Sequence, residues 1–322
     1  MDVSLIINPE VLERVYFLLT NILPIVVIGV YLGNFFSELG LIQKLSIASY
    51  PIIKLANLPN EAGASITSML ASPAASYSML ANFYEKGILT EKETIITTFT
   101  NTFFFYIRTI PTYYLPFVVP ILGLKTGLIY ITVRLFISFI STLVGVFIGY
   151  LYLEPRETDI NNKRELERTK SFSKKLKDGF NSSIPTFKKI LPRLIVIYFL
   201  VAVAISNNLF EPIGQLVSPV TGVIGIPGEA STIIIARFAD VSSSFVLAGE
   251  LLTKEIVSPI EAITALLIGS VLSLSTHFLK SSLPNKIAYF GSDLGTKIAF
   301  YNLILSVATV ILTIFLLNFL AF

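Results

Sequence analysis

The sequence predicts an all-α, polytopic membrane protein built from two inverted-topology repeats, each with three transmembrane helices and one re-entrant helical hairpin. Three observations lead there. The chain is too apolar for water: of 322 residues 53% are hydrophobic and 14% charged, with a mean hydropathy of +0.75, whereas soluble domains carry about 25% charged residues. The chain also aligns with itself, without a gap, at an offset of 168 residues. Ile22-Leu23-Pro24 falls on Ile190-Leu191-Pro192, Pro59-Asn60-Glu61-Ala62 on Pro227-Gly228-Glu229-Ala230, Leu115-Pro116 on Leu283-Pro284, and Gly123 and Gly127 on Gly291 and Gly295. Between positions 59 and 95 ten pairs are identical, where ordinary composition would give roughly two or three. Finally, each half carries a small-residue segment with a polar interruption near its middle, the mark of broken helices in duplicated transporters.

The elements follow in order. An apolar run at 14–37 is long enough to cross. The stretch 40–57, with Lys44 and Lys54, is too polar for a span and fits a helix near the interface. Segment 58–84 is interrupted at Ala71-Ser72-Pro73-Ala74. Two half-helices of roughly ten residues would each reach ~15 Å, about the bilayer midplane, so a re-entrant hairpin is expected, with one kinked span as the alternative. Freed backbone at its tip is tolerable only inside protein or beside water. A wet turn at 85–93 precedes an apolar segment at 94–120 with three prolines, and 126–153 is clean enough for a span. The second half repeats this order: 191–209 apolar, 211–225 mixed, and 226–252 rich in small residues and interrupted at Asp240-Val241-Ser242-Ser243-Ser244. A wet turn, 262–276, a polar stop at 277–285 and a final span at 297–320 complete it.

The halves, 1–153 and 190–322, are separated by a basic linker at 154–189, and residues 154–193 hold 11 of the 24 basic residues. The positive-inside rule puts the linker in the cytoplasm. Its Phe172, Leu176, Phe180, Ile184 and Phe187 recur at helical spacing, interrupted by Gly179 and Pro185. A solvated connector and a surface helix on anionic lipid both fit that pattern. With three crossings per half, both termini lie outside the cell membrane, Lys86 and Lys92 inside, and Glu250 and Glu255 outside. No cleavable signal peptide is evident near the start.

Composition also excludes chemistry. Without cysteine there are no disulfides or thiolate sites, and one histidine with three methionines is a poor set for soft metals. No nucleotide loop, HExxH or catalytic triad spacing occurs, and nothing points to nucleic acid, so an enzyme is not expected. The candidate site residues are membrane-embedded polar groups. Glu61 and Glu229 head the two hairpins, where a carboxylate either caps free N–H groups or binds solute. Asp240 and Arg237 sit in an apolar hairpin at i, i+3 spacing and either pair with one another or mark a pathway. Ser72, Ser76, Ser242 and Ser244 offer hydroxyls at the tips, and Asn101, beside Thr102, could meet a tip halfway along a crossing. Arg108, His277 and Lys280 read as snorkelling residues at a membrane face.

The motifs Leu58-Pro59-Asn60-Glu61-Ala62 and Ile226-Pro227-Gly228-Glu229-Ala230, each heading a hairpin, resemble the nucleoside-recognition, or Gate-domain, membrane family. His277 to Pro284 is similar to an archaeal branch of it. That family includes spore maturation proteins and ferrous-iron permease gates and is related to the concentrative nucleoside transporters. The resemblance implies two re-entrant hairpins around a central site, with Glu61 in the substrate region; Asn60 and Gly63 depart from the motif's flanks. The expected function is secondary transport of a small polar solute, a nucleoside among the candidates, with no cofactor beyond coupling Na⁺ or H⁺. A divalent-metal or ion gate and a non-transporting scaffold are the alternatives. The expected partners are the solute and the lipid bilayer, and a homo-oligomer is left open.

Overall fold

The computed structural model describes residues 8–24, 27, 31, 49–155, 172–207 and 227–321. The expectations for 40–48, for most of the linker and for the mixed stretch 211–225 lie outside the described residues, as does much of the first apolar run. The described chain is all-helical.

The first half opens with α1 (Pro9–Phe17), capped by the Asn8 side chain, and a π-helical turn at Leu18–Ile22. Then come α2 (Ser49–Leu55), α3 (Asn60–Ala71), α4 (Pro73–Glu85) and α5 (Glu91–Thr109). A π-helical stretch at Ile110–Val118 leads into the short α6 (Val119–Leu122) and the long α7 (Leu124–Tyr152). Helix α8 (Phe172–Ser206) precedes the second broken pair, α9 (Ala230–Ala239) and α10 (Val241–Thr253). Helix α11 (Pro259–His277), a π turn at Phe278–Ser282, α12 (Leu283–Phe290) and α13 (Ser292–Ala321) follow.

Both expected interruptions are present. Ser72 and Asp240 adopt the same extended backbone, φ −155° and −156°, and each side chain caps the helix that follows. Ser72 Oγ accepts from Ala75 N at 3.3 Å, and Asp240 Oδ2 from Ser243 N at 2.9 Å. Pro73 occupies the first helical position after Ser72, where its missing N–H costs nothing. Helices α3 and α4 fold against each other, with the Ser65 and Ser76 hydroxyls 3.0 Å apart.

The 168-residue offset recurs in the backbone. Each start and end of α4, α5 and α7's first turn has its counterpart in α10, α11 and α13. Gly87 and Glu255 share positive φ (68° and 54°), as do Gly123 and Gly291 (80° and 77°). The wet turns end in matching caps, Thr90 with Glu93 and Ser258 with Glu261.

The helices add detail to three segments read from the sequence, and correct one of them, the polar stop. Helix α8 runs through Gly179, Pro185 and Pro192 and across the boundary set at 189/190, so no helix end marks that boundary. The polar stop at 277–285 is helix: the chain continues through the π turn into α12 with a 54° bend. The wider π turn absorbs a polar stretch without breaking hydrogen bonding altogether. The proline-bearing segment 94–120 is α5, a π stretch and α6.

Two described helices, α7 and α13, are long and apolar enough to cross a membrane, or three spans if the bent pair α11–α12 counts as one. Their faces are arranged for lipid. On α7 the large residues Phe136, Phe139, Leu143 and Phe147 point outward, while Ser141, Gly145 and Gly149 are buried. On α13 Phe300, Ile304, Ile311, Phe315 and Phe319 are exposed while Thr309 and Thr313 are buried. Such an outside-greasy, inside-small pattern is that of helices packed in a bilayer.

The two apolar cores exchange partners. One joins α9, α10 and α11 of the second half with Phe117, Val118, Leu122 and Tyr130 of the first. The other joins α3, α4 and α5 with Phe290, Leu294 and Ile298 of the second. Each broken pair is thus roofed by the other half. Where α7 and α13 begin, glycine permits close approach: a Cβ on Gly127 would stand 2.7 Å from Val119 Cα, and one on Gly295 would stand 2.7 Å from Ile287 Cα. Gly127→Ala and Gly295→Ala are each expected to destabilise by ~1–3 kcal/mol, read as matched drops in the thermal midpoint in detergent. Gly228→Ala, whose Cβ meets nothing within 4 Å, should leave it unchanged.

Candidate functional site

The second interruption, Tyr77 of α4 and the α5, α7, α11 and α13 helices line a cavity of about 820 Å³. Both halves line it. From the first come Thr98, Asn101 and Thr102 of α5, Arg134 and Ser141 of α7, and Tyr77 of α4. From the second come Arg237, Asp240, Ser270 and Ser273 around the α9–α10 break and α11, and Lys286, Asn302 and Thr309 beyond. Ser141 Oγ donates to Thr309 Oγ1 at 3.3 Å. Those residues occupy equivalent positions, 168 apart, so the relation between the halves passes between their side chains. Asn302 Nδ2 bridges to Thr98 Oγ1 at 3.0 Å, another contact between halves at the same wall.

The sequence-predicted residues divide. Asn101, Arg237 and Asp240 face the cavity. Asn101 Nδ2 donates to Ser76 Oγ at 3.2 Å, and Ser76 Oγ donates to Ser65 O at 2.9 Å. Ser76 therefore fixes the amide from behind, and Asn101 Oδ1, buried, has no protein partner. Ser244 accepts from Arg237 Nη1 at 3.4 Å. Asp240 is the cap of α10, accepting from the amide and hydroxyl of Ser243, and Arg237 turns toward Ser244 and the ring of Phe245. Glu61, Asn60, Ser72, Glu229 and Ser242 do not line the cavity. Glu61 sits half-buried in the first turn of α3, and Glu229 stands exposed before α9 without a side-chain capping bond. The two glutamates therefore do not converge with Asn101 and Asp240.

Arg108, read as a snorkelling residue, instead serves the first interruption. Its Nε donates to Ala71 O at 3.1 Å, satisfying a carbonyl released where α3 ends. His277 and Lys280 are exposed but border the cavity.

Two further cations were not singled out. Arg134 is the lone charge within the clean span 126–153, and an ionisable residue at that depth is itself a signal of function. Lys286 reads as a loop lysine in the sequence, because the helix that carries it inward passes through an unforeseen π turn. Both are held by aromatic rings. Arg134 hydrogen-bonds the Tyr106 hydroxyl and lies 4.9 Å from that ring's centre, and Lys286 Nζ lies 3.0 Å from the centre of the Tyr77 ring. Among the described residues no group of three His, Asp or Glu side chains converges as a metal site would require.

Residues 19–125 match a family described as nucleoside recognition, Gate. The chain belongs to that family. The match takes in the first interruption with Ser72 and Ser76, and Asn101 and Arg108 as well, but ends before Arg134. Relatives extend the likeness over both halves. The uncharacterized protein MJ0880 of Methanocaldococcus jannaschii is 31% identical over 281 residues, 85% of this chain and 89% of the relative. The uncharacterized protein MJ0871 of the same organism is 30% identical over 295 residues, 91% of this chain and 90% of the relative. No solved structure matches the chain. Membership of the Gate family, with its apolar helices, makes this a membrane protein of transporter- or permease-like type.

The absence of cysteine makes a contact test clean. In a Ser141→Cys/Thr309→Cys protein, mild oxidation should close a disulfide, since hydroxyls 3.3 Å apart put the Cβ atoms near bridging range. Mass spectrometry of tryptic peptides reads the link. Ser141→Cys paired with Lys188→Cys, on the exposed surface of α8, should give none.

Proposed function

We propose that the chain is a carrier of the cell membrane that binds a small polar solute in the cavity between the two interrupted helix pairs. The observation that carries this reading is the cavity's wall: polar side chains from both halves, meeting at Ser141 and Thr309, beside the helix break at Asp240 and with Tyr77 of the first broken pair. Its volume is in the range of small-molecule sites. Solute sites of duplicated transporters lie where broken helices meet near the midplane. Asn101, Asp240 and Arg237 contact solute, while Ser76 and Ser244 orient them. Glu61, Asn60 and Glu229 act outside the pocket, at the starts of the broken pairs. The nucleoside named in the family's description is within the size the pocket accepts, and a Na⁺ or H⁺ gradient supplies the drive.

The two halves are inverted and their broken pairs re-entrant in this reading. Contacts at the two ends support it. At one end Glu91 pairs with Lys297 at 3.0 Å, and Asn57 Nδ2 donates to Leu153 O at 3.1 Å. That end holds the turns assigned to the cytoplasm. At the other, Arg14 pairs with Glu250 at 2.6 Å, which holds α1 against the turn assigned outside.

Sided labelling tests the topology. In intact cells Lys254→Cys should react with an impermeant maleimide and Lys92→Cys only after permeabilisation; the reverse order, or labelling of both from one side, defeats the inverted arrangement. Proteoliposome flux tests the carrier itself. Asp240→Asn, which keeps an acceptor for the Ser243 amide, should fold yet lose most gradient-driven uptake, whereas Asp240→Ala should also lower stability by ~1 kcal/mol through the lost cap.

A further inference from the structure

The cavity carries a strong imbalance of charge. Among its described lining residues four side chains are cationic, Arg134, Arg237, Lys280 and Lys286, and one is a carboxylate, Asp240. Arg237 and Lys286 are each 93% buried, with 7% of their surface exposed. Taking such ions out of water costs several kcal/mol apiece unless partners compensate. The compensation present is incomplete. Arg237 has one long hydrogen bond to Ser244 at 3.4 Å and a ring contact with Phe245 at 5.1 Å, and its Nε is buried without a partner. Lys286 has the Tyr77 ring and no hydrogen bond from Nζ. Arg134 has the hydroxyls of Tyr106 and Tyr114, and its Nε is without a partner. Among the described residues no carboxylate forms an ion pair with any of these three. Asp240 is engaged as the cap of α10.

Aromatic faces hold a cation in place while leaving most of its donors unspent. Arg237 gains a little more from its place in the last turn of α9, where the helix dipole favours positive charge, again without using a donor. Two cations so buried, so positioned and so under-used are complementary to a ligand that brings negative charge and acceptor oxygens. The acceptor Asn101 Oδ1, also without a partner, adds a place for a neutral donor on the same ligand.

We infer that the solute is a small organic anion, its carboxylate or phosphate oxygens held by Arg237 and Lys286 with Arg134 in support, and a hydroxyl or amine presented to Asn101. This rests on the carrier reading for its transport role, but the binding site stands on the cavity alone. A neutral nucleoside would leave the cations unmatched; a nucleoside bearing phosphate would not.

The test uses full-length protein in nanodiscs of phosphatidylcholine, with thermal midpoint and calorimetric binding as readouts and flux into proteoliposomes alongside. The probes are uridine, uridine monophosphate, succinate, lactate and inorganic phosphate. One or more of the anions should raise the midpoint saturably and bind more weakly as salt rises, with uridine inert. Arg237→Gln and Lys286→Gln should each weaken that anion at least tenfold, Arg237→Lys less so, and Lys188→Gln, on the exposed face of α8, not at all. Since the glutamine variants lose a buried charge, the wild-type salt dependence and the lysine variant keep the test decisive if one of them fails to fold. Uridine bound as well as its monophosphate, with no loss in the variants, overturns the anion and leaves the carrier standing. An anion bound but never moved leaves the site and sinks the carrier. Stabilisation by phosphatidylglycerol alone, with no soluble anion competing, overturns the solute in favour of a lipid headgroup. No binding by any probe overturns the anion as well, and flux of uridine then decides the carrier separately.

Discussion

Interrupting a helix releases backbone groups that an apolar surrounding cannot satisfy, and the packing around both breaks answers that constraint. At Ser72 the exposed groups are met by the serine's own hydroxyl and by Arg108 from α5. At Asp240 they are met by the aspartate carboxylate. Asp240 is buried, and each broken pair packs against the other half, the second pair against the π stretch, α6 and α7 and the first against α12 and α13. The halves cannot be separated without stripping that cover, since each would then present an unroofed break to hydrocarbon. The cores are exchanged for the same reason.

The duplicated scaffold was legible because it is written in short-range signals. Proline after Ser72, a capping carboxylate at Asp240, glycines at 123 and 291 and the Thr90/Glu93 and Ser258/Glu261 boxes each act within a turn of their own position. They survive as pattern without any knowledge of packing. Asn101 could be placed opposite a hairpin because its distance along α5 from the wet turn is set by helical rise. What was not legible depends on curvature. Lys286 reads as a loop residue until the π turn at Phe278–Ser282 carries it into the protein. Glu61 and Glu229 are strongly patterned, yet patterning fixes their place on the helix and not the direction in which that helix points. Arg134 was visible as an isolated charge in an apolar run, and its meaning follows from burial depth rather than from any motif.

Symmetry ends at the side chains that touch the cavity. Where the second half has Arg237 the first has Met69; Lys286 faces Val118, Arg134 faces Asn302, and Asn101 faces Gly269. None of these charges has a like-charged copy at the equivalent position. Where equivalent positions meet, a duplicated charge would carry an electrostatic cost. Equivalent positions close to the relation between halves approach one another, as Ser141 and Thr309 do at 3.3 Å. Two cations at ~4 Å would repel by ~4 kcal/mol at the effective dielectric of a partly buried site. Hydroxyls can meet across that line; ammonium and guanidinium groups cannot.

A symmetric backbone with asymmetric chemistry suits a carrier for a physical reason. Matching halves give two conformations of comparable packing energy, related by exchanging the roles of the halves, so neither traps the molecule. A solute that must be held the same way in both conformations needs one set of ligands, not two competing sets. In the proposed carrier that set is divided between the halves: Arg134 and Asn101 come from the first, Arg237, Asp240 and Lys286 from the second. The proposed anion would tie the halves to each other at their shared wall, its charge offsetting a desolvation cost that the protein alone leaves partly unmet.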